Sequence, residues 1–166
     1  IGQGEVTSTP LQIANLAATI ANRGHFYVPH VVHSVQGERI DTTYTNMRRT
    51  KVDRRYYNYA VAGMRRAVEQ GTCRGADFPG VQVCGKTGTA QNRGHDHSAF
   101  MGFAPMNNPK IAVCVYVENG GFGADFAVPI GSLIMEQYVN GKLSASSEIK
   151  ANTFQHRHIS YGRQAR

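Results

Sequence analysis

The chain has 166 residues, 41% hydrophobic and 17% charged, which is the composition of one globular domain and not of a disordered segment. It carries 18 Lys and Arg against 11 Asp and Glu, a net charge of +7. No apolar run approaches the roughly 20 residues that span a bilayer, and residues 1–20 lack a basic-then-apolar signal pattern.

The chain opens at Ile1 in mid-motif, from which a piece of a longer protein is expected. Residues 10–22 predict a helix. Thr9 suits the N-cap, Pro10 the first helical position and Gly24 the C-terminal cap. Ile13, Leu16, Ala17 and Ile20 share its apolar face. A strand-like run over 26–35 follows, interrupted by Pro29, and 38–52 is polar and loop-like. A second helix is expected over 54–70, capped by Asp53 and stopped by Gly71, with Tyr57, Val61, Met64 and Val68 inward.

The period then changes from 3.6 to 2. Residues 81–91, 98–104 and 111–118 read as three strands. Gly94 lies in the first connection and Pro105-Met106-Asn107-Asn108-Pro109 makes the second turn. Such short links favour antiparallel pairing. The run 111–117 is apolar on both faces and is expected to be the buried strand. A last helix covers about 128–139, starting near Pro129 and stopping near Gly141. Residues 144–166 are polar and aperiodic, so a mobile or loosely docked tail is expected. The fold class is α+β: an antiparallel sheet with flanking helices.

Cys73, Cys84 and Cys114 contain no C-x-x-C spacing, which speaks against zinc, and their odd number excludes a complete disulfide framework. Cys84 and Cys114 fall in strand-like runs, where buried free thiols are ordinary.

The most informative run is Cys84-Gly85-Lys86-Thr87-Gly88-Thr89-Ala90-Gln91. A glycine-bearing strand lets a ligand approach the backbone. Lys86 adds a positive charge, and Thr87 and Thr89 add hydroxyls on one side of the strand. That set suits a carboxylate and strand-like pairing with a peptide. An edge strand with a solvated Lys accounts for the same residues equally well.

Lys86 to Gln91 resembles the third active-site motif of penicillin-binding proteins and serine β-lactamases, and the Thr-Ala-Gln extension is similar to that of transpeptidases. The stretch Ile1-Gly-Gln-Gly-Glu-Val-Thr-Ser-Thr-Pro-Leu-Gln resembles the approach to a helix between the second and third motifs of class B penicillin-binding proteins. Residues 62–72 (AGMRRAVEQGT) resemble their helix before the third motif, 96–105 (DHSAFMGFAP) the next strand, and 117–121 (VENGG) the end of the one after. The resemblance covers roughly 1–141 and is nearest to penicillin-binding protein 2 of the rod-elongation kind. It implies that 1–143 is the C-terminal part of a transpeptidase domain with a partial penicillin-binding, serine β-lactamase-like fold, and that 144–166 is a tail.

For a parent protein, the resemblance implies a serine-type peptidoglycan D,D-transpeptidase that cross-links stem peptides through a Ser acyl-enzyme. Lys86, Thr87, Gly88 and Thr89 would bind the D-Ala-D-Ala stem peptide or a β-lactam. Lys86 would also assist proton shuttling, and the Thr89 N–H would be one of two oxyanion-hole donors. The other donor belongs to a nucleophilic Ser in an upstream S-x-x-K. The only match to that pattern here, Ser147-Glu148-Ile149-Lys150, follows the Lys-Thr-Gly run and lies in the polar tail. No Ser-x-Asn occurs. The segment alone is therefore expected to be inactive and to need no cofactor. The resemblance further implies the periplasmic face of the bacterial inner membrane, an upstream anchor outside this chain, and the cell-wall elongation machinery as partner. Self-association of the isolated piece is also expected.

Two other functions are compatible with parts of the pattern. A β-lactamase or penicillin-sensing domain keeps the fold and differs in deacylation. A non-enzymatic basic module would rest on 39–66, which holds eight Lys or Arg, two Asp and four tyrosines (Tyr44, Tyr56, Tyr57, Tyr59). Such a stretch can meet nucleic acid, lipid headgroups or anionic glycan, but a solvated helix face is the simpler reading and no nucleic-acid motif is present. His95-Asp96-His97 lacks a third ligand at useful spacing, so no metal is expected. The loop Asn119-Gly120-Gly121-Phe122-Gly123 lacks phosphate-loop spacing and reads as a strand-to-helix turn.

Overall fold

The structure is a computed structural model and describes residues 3–159. Helix α1 (Pro10–Ala21) begins with a reciprocal cap, in which Thr9 accepts the Gln12 N–H and the Gln12 side chain accepts the Thr9 N–H at 2.8 Å. The chain leaves α1 through Gly24 at φ 100°, where a Cβ would meet the Tyr57 ring at 2.8 Å. Conformation and contact therefore both require glycine there. Leu16, expected on the apolar face, is 50% exposed.

The strand expected over 26–35 is reduced to β1 (His25–Phe26), which pairs antiparallel with β2 (Arg48–Arg49). Pro29 has no N–H for a ladder. The expected loop contains a short helix, α2 (Thr42–Thr45). Helix α3 (Arg54–Glu69) is capped by Asp53, which accepts the Arg55 N–H at 2.9 Å, and buries Val61, Met64 and Val68.

Strands β3 (Cys84–Ala90), β4 (His97–Ala104) and β5 (Ile111–Val117) form an antiparallel sheet in chain order. The register sets Thr87 beside Phe100, and Phe100 beside Val115. Strand β4 is central and the most buried. Strand β5, expected to be the buried one, is an edge, and Tyr116 on it is exposed. Its composition is apolar on both faces, but a strand with one neighbour leaves its other side open. Helix α4 (Ala127–Asn140) packs on one face of the sheet, while α1 and α3 pack on the other. Gly141, at φ 73°, closes α4.

Phe100 sits where β3, β4 and α4 meet. A Cβ added to Gly85, Gly102 or Gly131 would lie 2.5–2.6 Å from its ring. Three missing side chains thus make the seat for one aromatic ring, which is wholly buried.

The stretch 144–166, expected to be a mobile or loosely docked tail, instead contains helix α5 (Ala145–Gln155). Few of its contacts are apolar, which is why hydrophobic periodicity does not reveal it. The Phe154 ring meets Phe126 edge-on at 5.9 Å, and Lys150 Nζ donates to the Gly75 carbonyl. Glu136 on α4 is 1% exposed and accepts the Ser144 N–H at 3.0 Å. Burial pushes the Glu136 carboxyl up, but the Ser147 and Ser144 hydroxyls, the Ser144 amide and the Lys150 charge outweigh it and hold the group below its ordinary value. Residues 160–166 of the expected tail lie outside the described residues.

Two outcomes are expected. Gly85→Ala should destabilise the fold by about 1–3 kcal/mol through overpacking against Phe100, measured as a lower midpoint in urea. Gly88→Ala, whose Cβ would find only Ala99 Cβ at 3.4 Å, should be tolerated, and equal midpoints for the two variants would contradict the packing account. Acid should loosen α5 first. The unfolded chain takes up the Glu136 proton near 4.5, above the folded value, so the stabilisation present at neutral pH is lost as the pH falls through that range. Protection factors over 145–155 should drop in acid ahead of those in β4, and Glu136→Gln should remove the difference.

Candidate active site

Strand β3 is the open edge opposite β5. Its side chains alternate. Cys84 joins the α1 and α3 side, with Val61 and Met64, and Lys86 and Gly88 share that parity. Gly85, Thr87 and Thr89 are on the α4 side. Lys86 is exposed, and Thr87, Gly88 and Thr89 are half-buried.

The backbone of Thr87 faces away from β4. Lys86 Nζ curls round the strand to donate to the Thr87 carbonyl at 2.9 Å, and the Thr87 amide is directed at Cys73, in the turn after α3. In an antiparallel edge strand the outward-facing backbone groups recur every second residue. The N–H and C=O of Thr89 are therefore also on the open side. This is the side from which an extended peptide can add to the strand.

Groups distant in sequence frame this edge. Exposed Thr72 shares a hydrogen bond with Thr87, Oγ1 to Oγ1 at 2.7 Å. Gln3 brackets the far end: its Nε2 donates to the Gln91 carbonyl and its Oε1 accepts the Gln91 N–H at 2.9 Å. The loop before α4 lies against the strand, so a Cβ on Gly123 would fall 2.5 Å from the Ala99 carbonyl and 2.7 Å from that of Gly88. Sequence reasoning assigned no role to Thr72, Gln3 or Gly123. Gln3 and Thr72 lie in stretches that carry the resemblance, but nothing local marks them as neighbours of β3.

The two glycines of the run serve different ends. Gly85 makes room for Phe100, a packing requirement. Gly88 meets no such obstacle and leaves the strand surface low beside Lys86 and Thr89. The thiols behind the strand are subdued. Burial pushes Cys73 up, against the Lys86 charge, the Thr87 amide and the Thr72 and Thr87 hydroxyls, and burial pushes Cys84 up to about 11 against the charges of Arg65 and Arg23. Neither is a thiolate at neutral pH.

The weaker candidates have structural partners. His97 Nδ1 accepts the Asn119 N–H at 2.9 Å, and the Asp96 carbonyl accepts the Gly121 N–H at 2.8 Å, so the His95-Asp96-His97 turn pins the glycine loop. Among the described residues no three His, Cys, Asp or Glu side chains gather as a metal would require. Ser147 is buried against Glu136, while Lys150 reaches the Gly75 carbonyl, so the pair lacks the Ser–Lys contact of an activated nucleophile. Among the described residues no helix is long and apolar enough to cross a membrane.

Comparison with known proteins accords with this geometry. The family model described as penicillin binding protein transpeptidase domain matches residues 1–136. A peptidoglycan D,D-transpeptidase, MrdA, from Acinetobacter baumannii is 37% identical over 153 residues, covering 78% of this chain and 23% of that protein. The crystal structure of Pseudomonas aeruginosa PBP2 superposes with a TM-score of 0.73 at 37% identity, over 88% of this chain and 33% of that one. Penicillin-binding protein A from Mycobacterium tuberculosis, solved as a ceftriaxone acyl-enzyme complex, gives a TM-score of 0.72 at 34% identity, over 84% of this chain and 34% of that one. The chain spans about a quarter of the length of the curated relatives it matches. With a mixed helical and antiparallel-sheet fold matched by such domains, the chain belongs to the penicillin-binding protein transpeptidase family, as a partial transpeptidase domain of the penicillin-binding protein 2 kind.

Proposed function

We propose that this chain forms one wall of the acyl-transfer cleft of a peptidoglycan D,D-transpeptidase that works through a Ser acyl-enzyme. The observation that carries the reading is the outward-facing backbone at Thr87, with Lys86 and Thr72 beside it and Thr89 next along the open edge. Residues 1–143 are the domain portion and the remainder an appendage that includes α5.

The chemistry follows from these groups. A stem peptide ending in D-Ala-D-Ala, or a β-lactam, lies along β3 in strand-like fashion, with Gly88 permitting its close approach. Its carboxylate takes the positive potential of Lys86 and the hydroxyls of Thr87 and Thr89. The Thr89 N–H meets the oxygen that becomes negative as the carbonyl turns tetrahedral, and it is already in place before the reaction, which is what makes such a donor effective. Lys86 also assists proton movement. The attacking Ser, its activating Lys and the second oxyanion donor come from segments outside this chain. The place of action is the periplasmic face of the inner membrane, the anchor lies outside this chain, and the partner is the cell-wall elongation machinery.

Fluorescent penicillin tests the reading. The 166-residue chain alone should not be labelled, and stoichiometric labelling would overturn the assignment of its nucleophile elsewhere. In a protein that joins this chain to upstream S-x-x-K and S-x-N segments, acylation should appear. Thr89→Pro, which removes an N–H from the open side where proline is sterically admissible, should slow acylation by about 10²–10³-fold, and Thr89→Val, which keeps that N–H, should slow it less. The open β5 edge, with Tyr116 exposed on it, and the exposed Ile134 and Tyr138 of α4 should make the isolated chain self-associate, and a clean monomer by light scattering would contradict that.

A further inference from the structure

We infer that the α1–α3 side of this domain carries a second binding surface, for a carboxylate-bearing glycan strand. The inference rests on the peptidoglycan reading above for the identity of the strand, and on the following geometry for the existence of the surface.

A cavity of about 430 Å³ opens between the end of α1, the start of α3 and the β4–β5 turn. Arg23, His25 and Arg54 line it together with the amides of Asn22, Asn107 and Asn108, and no acidic side chain does. Arg23 is fixed in place by donating to the Ala21 and Met106 carbonyls. Arg48, Arg49 and Lys51 add exposed charge nearby, since β2 is paired with β1 and leads into α3. Among the described residues Arg23, Arg48, Arg49, Lys51 and Arg54 make no ion pair, and Asp53, which caps α3, lies 3.5 Å from Arg55. Concave cationic surface without counter-charge concentrates anions, and convergent amides add the paired donors and acceptors that hydroxyl-rich ligands need.

The surface continues along α3. Arg54 and Asn58 are one turn apart on the same helix face. Asn58 belongs to a shallow depression with Arg55, Tyr56 and Tyr59. Tyr56 is 52% and Tyr59 78% exposed, and the Arg55 guanidinium covers the Tyr56 ring at 4.9 Å. Exposed tyrosines offer an apolar ring face and a polar tip at low entropic cost, which suits the faces of sugar rings. Cation, amide and aromatic ring in alternation fit a glycan bearing carboxylates better than a lipid surface, which would need a projecting apolar face. The cavity is on the same side of the sheet as Lys86, beyond the Ala104 end of β4, roughly 10–20 Å away at the rise of a β-strand. It is thus separate from the cross-linking edge and near enough to hold a strand whose peptide reaches it.

Fluorescence anisotropy with labelled, un-cross-linked peptidoglycan strands and the full 166-residue chain tests this. Binding is expected, weakening as salt rises. Arg54→Glu should weaken it about tenfold. Arg54 is exposed and lies in the first turn of α3, where an acidic residue suits the helix dipole, so this variant should stay folded. Tyr59→Ala should weaken binding severalfold with an unchanged circular dichroism spectrum. Lys142→Ala, which removes an exposed cation just after α4 and outside both surfaces, should leave strand binding intact, and because binding is read without acylation, failure of penicillin acylation would leave the measurement readable. The inference is overturned if neither Arg54→Glu nor Tyr59→Ala weakens binding, or if an uncharged chitooligosaccharide, a single-stranded oligonucleotide or phosphatidylglycerol vesicles bind as tightly as the strands.

Discussion

The Phe100 ring lies across Gly85 and Gly102 and beneath Gly131, and the placing of the candidate site depends on that contact. An edge strand is held by backbone bonds on one side only and would otherwise be free to twist or slip. Here it is also held from its face. The ring fills the space that three absent side chains leave, so strand β3, strand β4 and helix α4 approach one another at a fixed separation. Rigidity of this kind lets Thr87 and Thr89 present backbone groups outward, where Lys86, Thr72 and Gln3 frame the edge without adding a strand to it. The site is open because the support comes from beneath it.

The same burial that supports the strand also governs its chemistry. Cys73 lies at the outward-facing amide of Thr87, within reach of the Lys86 charge. In a more solvated place that charge would favour a thiolate, a competing nucleophile beside the proposed acyl-transfer cleft. Desolvation outweighs the lysine, and the thiol keeps its proton. Lys86 is then available to a ligand's carboxylate and is not consumed by an internal anion.

Much of this was legible in the sequence where local rules apply. Thr9 with Pro10, and Asp53 before Arg54, marked two helix starts. The change of period after Gly71 marked the sheet, and Lys86-Thr87-Gly88-Thr89 marked the open edge. What was not legible depends on neighbours. Strand β5 carries the composition of a buried strand, yet its exposure is set by how many strands flank it. Helix α5 docks through the Glu136 carboxylate, the Lys150 bond to the Gly75 carbonyl and one aromatic pair, and none of these leaves a periodic trace. The run over 26–35 has strand-like residues, but within it Phe26 alone joins a strand, opposite Arg48, and Val35 makes an isolated bridge to Glu38. In the site, Thr72 and Gln3 reach β3 across 15 and 88 positions of sequence, distances over which no local pattern extends.

The Gln3 bracket has a bearing on the order in which the domain assembles. Closing a flexible loop of that size costs about 4 kcal/mol beyond a constant, more than the roughly 1–3 kcal/mol that two hydrogen bonds return. The clasp on Gln91 can therefore close only after the intervening helices and strands have already drawn the two segments together. The far end of the edge strand is then among the last parts to set during folding, and its stiffness is inherited from the finished core.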